Sequence, residues 1–320
     1  MTDARRLLGV VMDPIESIYP AKDSTLAMLL AAQKRDWTLI YLRQNDLTVR
    51  DGAPLGRGVE VRVTDDASSW YEVREPWAGR LDELEVLLMR KDPPFDMEYI
   101  YTTYILELAE ERGALIVNKP ASLRDINEKA YTAWFPDCAP TSLITREHEE
   151  LKQFLETQEK IVIKPLHGMG GRSIFIVNQG DLNTNVILET LTADGSRYAL
   201  AQRYIPEISD GDKRILLIDG TPVEHALARI PAPGESRGNL VMGARGEGRG
   251  LTGRDREICA RVGPVLASKG VLFAGLDVIG DYLTEINITS PTGIRELDRA
   301  FGLDIADMLL DAIERRLQKA

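Results

Sequence analysis

Apolar residues in this chain follow two rhythms. Short continuous or alternating runs, "LLGVVMD" (7–13), "TLIYL" (38–42), "VLLMRK" (86–91) and "ALIVN" (114–118), read as strands. Between them, apolar positions recur at helical spacing over 24–36 and 97–112. Strand and helix in alternation predict a parallel α/β layer for residues 1–121. The stretch 43–80 is more polar and carries "DGAPLG", so it reads as a hairpin or an excursion from that layer.

After "NKP" (118–120) the pattern changes. Residues 122–200 hold a helix opening at Ser122, the strand "TSLIT", a helix over 147–157, "KIVIKP", a glycine-rich connection and "SIFIV", the outline of a small α+β lobe. Residues 201–320 form a further lobe. It takes in "AQRYI", "RILLIDGTPVEHALARI" with a hairpin at Asp219-Gly220, a helix over about 255–269, "VLFAGLDVIG", "LTEINIT" and a terminal helix. The glycine-dense stretch "PAPGESRGNLVMGARGEGRGLTG" (231–253) has no period of its own, and a loop that long inside one lobe predicts a functional lid.

Composition narrows the function. With 44% hydrophobic and 28% charged residues the chain is an ordinary globular protein. A net charge of −11, without a basic stripe interleaved with aromatics, argues against a nucleic-acid partner. No apolar run reaches the length of a membrane span, and the N-terminal run is broken by Asp13 and Pro14, so a cytoplasmic protein with no membrane partner is expected. Cys138 and Cys259 form no CxxC pair and the chain has only 3 His, which supports neither a disulfide framework nor a zinc site. Any metal is expected on oxygen ligands.

The chemistry concentrates in a few places. "KPLHGMGGRSIF" (164–175) sets Gly168, Gly170 and Gly171 between strands, with Lys164 ahead of them. No GxxxxGK string exists, so this is no P-loop; it reads as an anion-facing flap or as a plain glycine hairpin. A GxGxxG string at Gly248, Gly250 and Gly253 lies in the long loop with no strand expected before it, and reads as chance. In "GLDVIGDYLTEINIT", Asp277, Glu285 and Asn287 offer hard oxygen donors. A three-residue turn would set Asp277 opposite Glu285, whereas a two-residue turn would separate them onto opposite faces. Lys129, Lys164, Lys213, Arg214 and Arg229 recur at strand ends, which suits a polyphosphate if they converge and a plain surface if they do not. "AQRYIPE" offers backbone groups around Gln202, Arg203, Tyr204 and Ile205 to a purine, and Asp212 is placed to reach a ribose. No nucleophile elbow and no Cys/His pair appears.

The order "RDINEK", "IVIKP", "GMGG", "AQRYIP", "DGDKR", long loop, "GLD" and "TEIN" resembles the ATP-grasp superfamily. "MDPI", "LMRKDPPFD", "TYILE", "LIVNKP", "LARIP", "SRGNL" and "LTEINITSP" resemble, more narrowly, the bacterial-type glutathione synthetase family over nearly the whole chain. The resemblance implies an α/β (α+β) ATP-grasp fold preceded by a parallel α/β domain. Its parts would be a substrate-binding domain at 1–121, a central lobe with a glycine flap at 122–200, and a C-terminal lobe at 201–320 with a lid at 231–246. It implies a ligase joining γ-glutamylcysteine to glycine with ATP and magnesium or manganese, through an acyl phosphate, as a homotetramer.

Carried onto this chain, the resemblance gives Lys129, Lys164 and the flap glycines to the ATP phosphates, residues 202–205 to adenine and Asp212 to ribose. Asp277, Glu285 and Asn287 would hold the metal, and Arg214 and Arg229 would stabilise the transition state. Arg90, Arg237, Asn239, Ser290 and Pro291 would contact substrate. His167 stands where the resemblance leads one to expect an acidic residue. The alternatives are another ATP-grasp carboxylate–amine ligase and a nucleotide-binding module without turnover.

Overall fold

The computed structural model describes residues 6–168, 173–232 and 245–319. Gly170, Gly171, Arg237, Asn239 and most of the expected lid 231–246 lie outside the described residues. The first lobe contains β1 (Leu7–Val11), α1 (Ser24–Lys34), β2 (Thr38–Leu42), β3 (Leu47–Arg50), β4 (Ala53–Val63), β5 (Tyr71–Arg80), β6 (Val86–Met89), α2 (Met97–Glu110), β7 (Leu115–Val117) and the short α3 (Pro120–Asp125). β2, β1, β6 and β7 lie parallel in that order, and their continuous apolar runs follow from burial on both faces. The polar stretch after β2 is the expected excursion: β3, β4 and β5 extend the sheet antiparallel at one edge.

The central lobe is built from β8 (Ser142–Thr145), α4 (His148–Gln158), β9 (Lys160–Pro165), β10 (Phe175–Asn178), α5 (Thr184–Thr192) and β11 (Ala199–Arg203), with strand order β10-β9-β11-β8. Its small core, including Leu151, Ile161, Ile163, Leu188 and Leu191, is separate from the rest. α5 has no counterpart among the elements expected from the sequence. Its "VIL" run is ambiguous between strand and helix, and only the packing of Leu188 and Leu191, one turn apart, against the lobe's sheet selects the helix.

The last lobe comprises β12 (Asp212–Ile218), β13 (Thr221–Ile230), β14 (Arg245–Gly250), α6 (Gly253–Ser268), β15 (Phe273–Ile279), β16 (Tyr282–Asn287), α7 (Ile294–Phe301) and α8 (Ile305–Leu317). The sheet runs β14-β13-β12-β15-β16, all antiparallel. β12 alternates between two cores shared with the first lobe: Leu216 and Ile218 pack with α1 and α8 residues, and Ile215 and Leu217 pack with residues of α2 and α6. The first and last lobes are therefore one packed block, pinned at the surface by Arg35 donating to Asp307 and Asp311. No helix among the described residues is long and apolar enough to cross a membrane.

Several expectations need correction. The helix expected from Ser122 starts at Pro120 and ends at Asp125, and Lys129, expected at a strand end, stands instead at the mouth of a 3-10 turn over Ala130–Trp134. Proline at the first helical position, where its missing N–H costs nothing, explains the earlier start. Residues 245–250 form a strand rather than loop, because the His225 to Ile230 edge of β13 supplies a partner. Gly248 is thus preceded by strand. It is a packing glycine, since a Cβ there would run into the Phe301 ring.

Asn118 joins the two lobes from a buried position. Its Nδ2 donates to the Phe273 and Ile288 carbonyls at 2.7 Å each, and its Oδ1 accepts from the Leu272 and Phe273 amides at 2.7 and 2.9 Å. Asn118→Ala leaves those backbone groups buried without partners, so we expect a loss of roughly 3–5 kcal/mol in urea unfolding at unchanged slope. A loss under about 1 kcal/mol would show the contacts to be incidental.

Candidate active site

The last sheet gathers the predicted polar residues on one face. Asp212 and Arg214 are two apart on β12 and so project to the same side. Register sets Asp212 opposite Arg229, Arg214 opposite Asp277, Asp277 opposite Glu285, and Gly275 opposite Asn287. The β15–β16 hairpin reaches this arrangement unexpectedly. Its turn has two residues, Gly280 and Asp281, with Ile279 paired to Tyr282, which alone would put Asp277 and Glu285 on opposite faces. A bulge at Thr284 inserts one residue between the Val278–Leu283 and Asp277–Glu285 pairs and restores the shared face. The Thr284 hydroxyl donates to the Asp277 carbonyl at 3.1 Å. Lys213 projects to the other side and pairs with Asp255 on α6, so it is not part of the site.

Asp277 is the centre of the cluster. Arg214 grips it with both arms, Nε to Oδ1 at 2.5 Å and Nη2 to Oδ2 at 2.8 Å; Arg229 Nη2 reaches Oδ2 at 2.9 Å and Asn287 Nδ2 at 3.3 Å. Burial pushes the Asp277 carboxyl up, but the two guanidinium groups outweigh it and hold the group well below the usual carboxylate range. Gly275 makes this geometry possible. A Cβ there would lie 2.7 Å from Arg214 Cδ and 3.1 Å from Pro291 Cβ, a requirement that sequence reasoning missed in "FAGLD".

Asp212 pairs through Oδ2 with Arg229, while its Oδ1 is buried with no hydrogen-bond partner among the described residues. Burial is the main force on it; Arg229 pulls its pKa down, yet repulsion from Asp277 and Glu285 leaves it at about 6.

Two lysines arrive from outside the sheet. Lys164, at the end of β9, places Nζ 3.2 Å from Glu285 Oε1, and Lys129 Nζ lies 3.9 Å from the same oxygen. Lys129 also donates to Glu128 and, at 3.0 Å, to the carbonyl of Gly168 in the flap stem, where φ of +97° suits glycine. Burial pushes the Glu285 carboxyl up, and Lys129 and Lys164 more than offset this and hold it low. Burial, followed by repulsion from Glu285, raises Glu128. Glu128 was not singled out from the sequence, although its adjacency to Lys129 was the available signal.

Lys129, Lys164, Arg214 and Arg229 thus stand against Glu128, Asp212, Asp277 and Glu285, four cations and four carboxylates in one cluster. As it stands the cluster is balanced. An added polyphosphate would need further positive charge, and Asp277, Glu285 and Asn287 are chemically suited to hold a hard divalent cation that also binds phosphate oxygens. Among the described residues no three His, Cys, Asp or Glu are grouped so that they could hold a metal ion.

The hinge at 202–205 is more restricted than expected. The Arg203 and Tyr204 amides already donate to Thr141 and Lys160, at 2.9 and 3.1 Å, while Ile205 N–H finds no backbone acceptor among the described residues. The Gln202 side chain donates to Ser142 Oγ at 3.1 Å. Arg203 lies over the Tyr282 ring, and Lys160 over that of Tyr204. Arg90 is buried with Nε on Thr25 Oγ1 and Nη2 on the Pro291 carbonyl, both at 3.0 Å. That joins two expected substrate contacts, Arg90 and Pro291; Ser290, between β16 and α7, makes no side-chain hydrogen bond among the described residues.

Known proteins resemble this chain along its whole length. The family described as prokaryotic glutathione synthetase, N-terminal domain, matches residues 7–124, and that described as prokaryotic glutathione synthetase, ATP-grasp domain, matches 128–302. The glutathione synthetase of Pseudomonas syringae pv. tomato is 57% identical over 97% of this chain and 98% of its own. That of Citrobacter rodentium is 55% identical over 98% and 99%. Among solved structures, a D-cycloserine synthetase aligns with a TM-score of 0.69 at 15% identity over 97% of this chain and 99% of its own. D-alanyl-alanine synthetase A of Vibrio cholerae aligns at 0.60 and 14%, over 99% of both. At those identities the structures establish the ATP-grasp fold alone.

The charge balance has a pH signature. Because the folded pKa of Asp212 is raised to about 6, its contribution to stability is full below the unfolded value and is lost as pH rises through 6. We expect Asp212→Asn, which cannot ionise, to gain roughly 1–2 kcal/mol relative to the parent between pH 4.5 and 7.5, read from urea midpoints at the two pH values. A difference that stays constant with pH would mean that Asp212 titrates normally.

Proposed function

The chain belongs to the prokaryotic glutathione synthetase family and is an ATP-dependent ligase, and from that premise we propose how its residues divide the ligation of γ-glutamylcysteine to glycine. The observation that carries the reading is the convergence of Lys129, Lys164, Arg214 and Arg229 on the face that also bears Asp277 and Glu285. The domain at 1–121 takes the dipeptide, and the lobes at 122–200 and 201–320 enclose ATP; the separate family matches at 7–124 and 128–302 support the boundary between the first domain and the rest.

Lys129 and Lys164 bind the phosphates of ATP, Ile205 N–H is the free hinge donor for adenine, and the open Asp212 oxygen meets a ribose hydroxyl. A cysteinyl carboxylate oxygen attacks the γ-phosphorus and ADP departs, leaving an acyl phosphate. The glycine amine then attacks the carbonyl carbon, a C–N bond forms, and the C–O bond to phosphate breaks with release of inorganic phosphate. Asp277, Glu285 and Asn287 would hold magnesium or manganese, which when bound supplies positive charge across the phosphate oxygens.

Arg214 and Arg229 stabilise the charge that develops on the transferring phosphoryl group and on the tetrahedral carbon. Asp277 takes two of Arg214's five N–H donors and so fixes the guanidinium while leaving its other edge for the substrate. Arg90, pinned between Thr25 and Pro291, has unspent donors for a dipeptide carboxylate. The lid 231–246 would exclude water from the acyl phosphate. A cytoplasmic homotetramer belongs to the same proposal and rests on the family resemblance.

Phosphate release from ATP should require both γ-glutamylcysteine and glycine, and Glu285→Gln should lower it at least about 10²-fold and also lower the melting temperature, because Lys129 and Lys164 lose the carboxylate that balances them. Release that ignores either substrate, or full activity in the variant, would refute the assignment. For Arg229→Ala, the expected loss lies in kcat, as for an interaction formed in the transition state. A rise confined to KM would move Arg229 to ground-state binding.

A further inference from the structure

We infer that Asn127 is a positioning residue for the ATP polyphosphate, its side-chain amide setting the distance between the Lys129 and Lys164 ammonium groups. The inference rests on the assignment of those lysines to the phosphates. Lys129 and Lys164 come from different parts of the chain, the turn before Ala130 and the end of β9, yet both address Glu285 from buried positions. Something must hold the two backbones in register.

Asn127 contacts both. Its Oδ1 accepts from the Lys129 and Ala130 amides at 3.0 and 2.9 Å, which caps the 3-10 turn, and its Nδ2 donates to the Leu166 carbonyl at 3.1 Å, two residues beyond Lys164. A third tie runs from the same segment to the catalytic sheet: Ile286 N–H, next to Glu285, donates to the Glu128 carbonyl at 2.8 Å. Residues 127–129 are therefore a joint between the flap stem, the turn carrying Lys129 and β16. A side-chain amide can both accept from the turn and donate to the flap stem, whereas a carboxylate accepts alone. Lysine stems are flexible, so the spacing of their charges depends on how firmly the two backbones are held.

Asn127→Asp separates these roles. It keeps the two acceptor bonds of the cap and replaces the donor with an oxygen that faces the Leu166 carbonyl. In the full-length protein we expect the Kd for a nonhydrolysable ATP analogue with magnesium to rise about tenfold, the KM for ATP to rise with it, and the KM for glycine and the melting temperature to stay put. Asn127→Ala, which also loses the cap, should show the same nucleotide defect together with a lower melting temperature. Analogue binding by Asn127→Asp at parental affinity would overturn the inference, as would a rise in the glycine KM alongside the nucleotide constants together with a lower melting temperature. Lys129→Met measured in parallel distinguishes the levels. If it weakens the analogue while Asn127→Asp does not, Asn127 alone is misassigned; if neither does, the phosphate assignment fails and the inference with it.

Discussion

Placing several cations in a buried site is tolerable only if carboxylates stand within hydrogen-bond reach of them, and this requirement shapes the last sheet. Asp277 meets it for two guanidinium groups at once. To do so it must face Arg214 across one strand boundary and share a face with Glu285 across the next, which the two-residue turn would forbid without the bulge at Thr284. Gly275 completes the arrangement by leaving room where any side chain would displace Arg214. A register, a bulge and a glycine thus serve a single electrostatic constraint.

The central lobe is tied to this constraint by long side chains. It has its own core, whereas the first and last lobes share two, so the polar contact of Lys164 with Glu285 spans the less apolar boundary. Such a boundary can adjust to a nucleotide without breaking the main core. The Asn118 staple is the opposite kind of joint: all its bonds are satisfied inside the block formed by the outer lobes, which holds the Phe273 end of β15 while the other lobe adapts.

Much of this was legible in one dimension. The continuous apolar runs of the parallel strands, the Asp219-Gly220 hairpin and the spacing of Glu285 and Asn287 each have a local physical cause and appear where expected. Less legible were features decided by partners far away in sequence. β14 is a strand because β13 offers it an edge, α5 is a helix because the lobe's sheet covers Leu188 and Leu191, and Lys213 leaves the site because Asp255 waits on the other face.

The sequence by itself determined the inventory: which oxygen donors and cations exist, the absence of a P-loop string, and motifs specific enough to name a family. Those follow from residue identity and short spacing, which the chain carries wherever it goes. The tertiary structure decided which of these groups meet. Asp277 and Glu285 share a face only through a bulge whose stability depends on the sheet around it, and the two lysines converge only because separate segments dock on β16. A balance among buried charges is a property of distances in space, and no local spacing encodes it.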